Sequence, residues 1–235
     1  MYIYLYLNLF TIFFPFVLSF DKRVHFYKNW PCLFPAIAVN ALLFIAWDST
    51  FTRIGVWGFN PDYLLGIYLF GLPLEEILFF ITVPYACVFI YETLNAYIPK
   101  DFLRPYAPAI SLVLVVILVP LGFIFLPRLY TSVTFLALAV MQLVHYRLLK
   151  NQVLGRFYVA YFVHLIPFLL VNGVLTAIPI VWYNNSYNLG VRLTTIPIED
   201  TMYSMLMLLL TVSVYEFLKR RKRKQKNALV VYGWY

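Results

Sequence analysis

Apolar residues run along this chain in long blocks, with polar ones gathered between them. The blocks fall at about 2–20, 32–47, 73–93, 107–126, 131–149, 158–178 and 198–218. Each except the short second one approaches the roughly 20 residues that a helix needs to cross a bilayer. The pattern predicts seven transmembrane helices, and so an all-α integral membrane protein. The first block, MYIYLYLNLFTIFFPFVLSF, carries no charged side chain. It lacks the basic start and small-residue cleavage site of a signal peptide, and is expected to stay as a helix.

Composition agrees. The chain is 63% hydrophobic and 12% charged, with a mean hydropathy of +0.81, where a soluble globule carries about 25% charged residues. The net charge of +8 would fit nucleic acid were it spread over a face. Seven of the 18 basic residues, however, lie in the tail KRRKRKQK at 219–226, which reads as a topology and lipid-headgroup signal. No nucleic-acid partner is expected; membrane lipids are. Connections after the first, third and fifth spans, together with the tail, hold fifteen Lys and Arg, whereas the others hold only Arg53, Arg128 and Arg192. The positive-inside rule then sets the N-terminus outside and the C-terminus in the cytoplasm of a multi-pass cell-membrane protein. Cys32 and Cys87 sit in apolar runs at a spacing that fits neither a metal site nor a disulfide framework.

The motif LPLEE at 72–76 returns as IPIED at 196–200, displaced by 124 residues. In the same register Asn60 meets Asn184, Tyr63 meets Tyr187, Gly66 meets Gly190, and Tyr91–Glu92 meets Tyr215–Glu216. Residues 60–94 show eleven identities in 35 positions, against about three by chance in this composition. The expected organisation is a first three-helix repeat (1–106), a linker helix (107–126), a second repeat (127–218) and a basic tail (219–235). A shift of four helices keeps both halves in one orientation, so that both acidic motifs lie at the same depth.

Pro73 suits the first position of a helix, which puts Glu75 and Glu76 in its first turn, where the helix dipole favours acids. The segment YLLGIYLFGL before it (63–72) is as apolar as the helix behind. A broken or re-entrant helix there would bring the acids to depth. Clustered, desolvated carboxyls cannot all ionise, so Glu75, Glu76, Glu199 and Asp200 can present a neutral acid beside a carboxylate, as a catalyst that gives and takes a proton requires. Phe79 and Tyr203, one turn after Glu75 and Glu199, share their helix faces, and aromatic faces stabilise cations. Asp48 pairs with Asn172 in the repeat register, and Asn40 with His164; interhelical hydrogen bonds are expected for these. His145 is expected at the cytoplasmic interface, and Glu92 and Glu216 beside Lys or Arg. No dinucleotide fingerprint, Walker loop, HExxH, Cys/His cluster or aspartate-rich motif occurs, so no cofactor and no metal are expected.

A duplicated Pro-x-Glu-Glu/Asp motif, here PLEE (73–76) and PIED (197–200), resembles the carotenoid lycopene cyclases of the heterodimeric type, with both halves fused in one chain. The resemblance implies redox-neutral cyclisation of the linear ends of lycopene to β-ionone rings, first γ- and then β-carotene. It also implies that Glu75, Glu76, Glu199 and Asp200 are catalytic and that the partner is a lipid-soluble carotenoid. Phe79, Tyr203, Trp57 and Trp182 would bind substrate and shield its cation from water. C50 or ε-ring carotenoids are alternative substrates, a proton-coupled transporter is an alternative function, and assembly as a homo-oligomer stays open.

Overall fold

A computed structural model describes residues 2–147 and 153–231. Among these, seven α-helices follow in order: α1 (Ile3–Leu18), α2 (Trp30–Ile54), α3 (Leu74–Tyr97), α4 (Ala107–Ile124), α5 (Leu129–Arg147), α6 (Leu154–Ala177) and α7 (Ile198–Val231). Helices α2 to α7 include six stretches long and apolar enough to cross a membrane, while α1, with 16 residues, is shorter. The second span is longer than the apolar block suggested, because its ends carry Trp30 and Thr50–Arg53 in addition to the greasy centre. Lys150 and residues 232–235 of the tail lie outside the described residues.

Polarity is distributed inside out. Leu42, Phe10, Val116 and Leu170 stand exposed on the helix exteriors, whereas Asn40, Asp48, Thr131, Thr134, Gln142 and His145 are buried. Water would not select such a surface, but lipid does: apolar groups face the acyl chains, and polar ones must find partners between helices.

Helix contacts recur at the displacement of 124. Helix α1 packs on α3 as α5 packs on α7, and α2 packs on α7 as α3 packs on α6. Helix α4 lies against α5, where the absent side chain of Gly122 admits Leu136.

Short strands close one end of the bundle. Strand β1 (Trp57–Phe59) pairs antiparallel with β4 (Val181–Tyr183), with Gly58 opposite Trp182. Those two residues are themselves equivalent at the 124 spacing, so the register is symmetric about its centre. The flanking bonds obey the same relation: Asn60 N–H donates to the Ile180 carbonyl and Asn184 N–H to the Val56 carbonyl, both at 2.9 Å.

The apolar stretch before Pro73 is not a half-helix. It forms a hairpin, β2 (Tyr68–Leu69) with β3 (Leu72–Pro73), matched by β5 (Arg192–Leu193) with β6 (Ile196–Pro197). Phe70 and Gly71 both take positive φ, at 57° and 82°, the requirement of a tight two-residue turn whose twist matches its strands. Each hairpin is tied to its helix start by Leu74 N–H to Ile67 and Ile198 N–H to Val191. Pro73 is therefore the N-cap of α3 rather than its first residue.

Candidate active site

The first turns of α3 and α7 meet beneath the β1–β4 ribbon, and neighbouring carboxyls there face different ways. Glu75 and Glu199 point back toward the loops. Glu75 Oε1 accepts the Leu65 N–H at 2.6 Å, and Glu199 Oε1 accepts the Leu189 N–H at 2.7 Å and the Thr131 hydroxyl at 2.6 Å. Both glutamates are fully buried. A buried backbone N–H without a partner costs about 1–3 kcal/mol, so these two acids staple the hairpin loops to the helix ends.

Glu76 and Asp200 point into a cavity of about 60 Å³ lined by both halves of the chain. Tyr4 on α1 donates its hydroxyl to Glu76 Oε2. Asp200 takes three donors: the Tyr130 hydroxyl to Oδ1 at 2.6 Å, and the Tyr183 hydroxyl and Asn172 amide to Oδ2 at 2.8 and 2.9 Å. Burial, and then the Asp200 charge, push the Tyr183 phenol well above its ordinary value of 10.0. It therefore stays a donor at neutral pH. Asp48, 2% exposed on α2, lines the same cavity. No lysine, arginine or histidine does so among the described residues.

Aromatic rings form the walls. Trp57, Phe59, Phe79, Tyr130, Tyr183 and Tyr203 line the space, with Trp57 and Tyr130 centroids 5.0 Å apart. Trp182 is not among the lining residues and is 46% exposed. The reason is the alternation of side chains along a strand. Trp57, Phe59, Val181 and Tyr183 face inward, which turns Gly58 and Trp182 to the opposite face. A Cβ at Gly58 would overlap the Trp182 ring.

Beside the acids lies a second cavity of about 210 Å³, between α1, α3 and α6. Its walls are almost wholly apolar, with Phe10, Phe14, Ala86, Ile90 and Pro167 among them. Phe79, Val83, Phe168 and Asn172 line both cavities, so the greasy space adjoins the acidic one. On the equivalent flank, Phe44 and Trp47 pack edge-on against Tyr203, at 5.1 and 5.5 Å.

Other polar residues settle as follows. Asn172 donates to Asp200 rather than to Asp48. The amide atoms of Asn40 have no partner among the described residues, and His164 Nδ1 meets Cys87 Sγ at 2.9 Å. His145 is buried against Ser213, at 2.8 Å, not interfacial, because α7 covers it. Glu92 pairs with Lys219 at 2.5 Å and Glu216 with Arg220 at 3.7 Å, as their position near the basic tail implies. Both cysteines are free and buried. Asp48 was the acid that sequence reasoning assigned to a bland hydrogen bond; its signal was the register that pairs it with Asn172.

A family model described as lycopene cyclase matches residues 1–94 and 127–218. A bifunctional lycopene cyclase/phytoene synthase of Podospora anserina is 33% identical over 73 residues, 31% of this chain and 12% of that protein. One of the same description from Colletotrichum graminicola is 43% identical over 51 residues, 22% of this chain and 9% of its own length. The matched segments thus span about a tenth of these relatives. No solved structure matches.

Proposed function

The chain belongs to the lycopene cyclase family, and from that premise we propose that it closes the linear ends of lycopene into β-ionone rings, giving γ- and then β-carotene. The observation that carries the reading is the convergence of Glu76 and Asp200, one from each motif, on a single buried cavity that adjoins an apolar one. A polyene end lying in the apolar space between α1, α3 and α6 would reach the carboxyls past Phe79 and Val83.

The reaction needs one proton given and one taken. A carboxyl protonates the terminal double bond and leaves a tertiary cation; the neighbouring alkene attacks it, and six carbons close. A carboxylate then removes a ring proton, which restores the charge of the site. Because nothing is oxidised or reduced, these residues need no redox cofactor. The faces of Trp57, Phe79 and Tyr203 would stabilise the cation, and a site without lining cations holds at least one of its carboxyls as COOH. Glu75 and Glu199 act through the loops they anchor; they position Glu76 and Asp200 rather than touch substrate.

In this reading the two three-helix repeats, 1–106 and 127–218, are joined by α4 as a tether, and the chain sits in the cell membrane with its C-terminus in the cytoplasm. The single cavity would handle the two ends of one polyene in turn. The test is expression in a lycopene-accumulating bacterium, with pigments separated by chromatography. Cyclic carotenes are expected, and growth in deuterated water should place label in the new ring. Unchanged lycopene, with the protein shown to be in the membrane, overturns the proposal. A C50 or ε-ring product would revise only the substrate or the ring type.

A further inference from the structure

The two halves are not chemically alike at one pair of equivalent positions. On α6, Asn172 donates its amide N–H to Asp200 at 2.9 Å. The residue 124 positions earlier is Asp48 on α2, and the residue 124 before Asp200 is Glu76. Where the second half sets an amide beside its motif acid, the first half sets another carboxyl. An amide always has a hydrogen to give, but a carboxyl has one only when protonated.

Asp48 is 2% exposed and lines the cavity, and its Oδ2 has no hydrogen-bond partner among the described residues. Glu76 acts on it electrostatically, and the Trp57 indole approaches its carboxyl. Asp200, by contrast, is an acceptor filled by three donors, an environment for a carboxylate. Glu76 already has the Tyr4 hydroxyl. Of the three acids that line the cavity, Asp48 alone has a buried carboxyl oxygen without a hydrogen-bond partner among the described residues.

We propose that Asp48 is a catalytic residue, the neutral acid whose Oδ2 hydrogen starts the cyclisation. This rests on the cyclase reading above and assigns within it which half gives the proton and which takes it. The O–H bond of Asp48 breaks as a C–H bond forms at the terminal alkene carbon. The electron pair of that alkene supplies the new bond, and the cation is left at the tertiary carbon. After ring closure Asp200 accepts a proton from the ring carbon next to the cation, and the electron pair of the broken C–H bond forms the product double bond. The proton then returns from Asp200 to Asp48 through Glu76, which stands in the same cavity, so that no proton is consumed overall.

The experiment compares wild type, Asp48→Asn and Asp48→Glu as whole chains in lycopene-containing membranes, with kcat and KM measured for each. Asp48→Asn makes the first half resemble the second, and should lower kcat by about 100-fold with little change in KM, the scale of a lost general acid. Asp48→Glu restores a carboxyl and should recover much of that loss. An active wild type with an equally active Asp48→Asn overturns the assignment and leaves the cyclase reading intact. Equal losses in both variants, at normal membrane abundance, also overturn it, since packing rather than the proton would then be at stake. An inactive wild type overturns the reading beneath it and the assignment together.

Discussion

Side by side in the chain, Glu75 and Glu76 make different contacts, one with the Leu65 N–H and the other with the Tyr4 hydroxyl. Consecutive residues on a helix point about 100° apart, so the pair was legible as a pair while its division of labour was not. What decides it is the Leu65 N–H arriving from a loop ten residues back, a contact that the motif alone does not encode. Glu76→Gln should cut turnover by about 100-fold or more with folding intact. Glu75→Gln keeps an acceptor for Leu65 and should cost no more than about 1 kcal/mol of stability, with a smaller effect on rate. Rates in membranes and melting of the detergent-solubilised protein check both; the opposite pattern would make Glu75 the acid that meets substrate. Asp48 was harder to see. A lone aspartate in a span reads as one partner of an interhelical hydrogen bond, and its one further signal was the repeat register that pairs it with Asn172.

Among elements, the helices were plain from the apolar blocks because lipid demands long uninterrupted runs. The ribbon of β1 and β4 was not. Three-residue strands carry too little periodicity to stand out from a chain rich in aromatics, and their partners lie more than a hundred residues apart. The same blindness placed Trp57 and Trp182 together as site residues, although opposite pleat positions send one inward and the other outward. The hairpin at 68–73 was concealed too, since its residues are as apolar as a span. Gly58 is where the ribbon leaves least room. Gly58→Ala should destabilise by about 1–3 kcal/mol, the usual cost of overpacking, and Trp182→Ala in the same chain should relieve it. Thermal melting of the two single variants and the double variant reads the coupling directly.

At the scale of the whole molecule, the duplication seen in a few identities reappears as matched helix contacts, loop staples and a ribbon centred on equivalent residues. The 34 residues of α7 extend about 51 Å at 1.5 Å per residue, well beyond a hydrocarbon core of about 30 Å. Its basic end must leave the bilayer. A phosphatase fused to the C-terminus should be inactive and a fluorescent protein in its place bright, as a cytoplasmic tail requires; the reverse result would invert the orientation. The acids open their helices at the other end, under Trp57, Phe59, Val181 and Tyr183 of the ribbon. In the proposed reaction that roof would separate the carbocation from the aqueous phase. Were it to leak, solvent would capture the intermediate as a tertiary alcohol before the ring could lose its proton, and the same acids would run a hydratase. On that reading the purity of the hydrocarbon product would rest on six residues of β-structure rather than on the carboxyls proposed to make it.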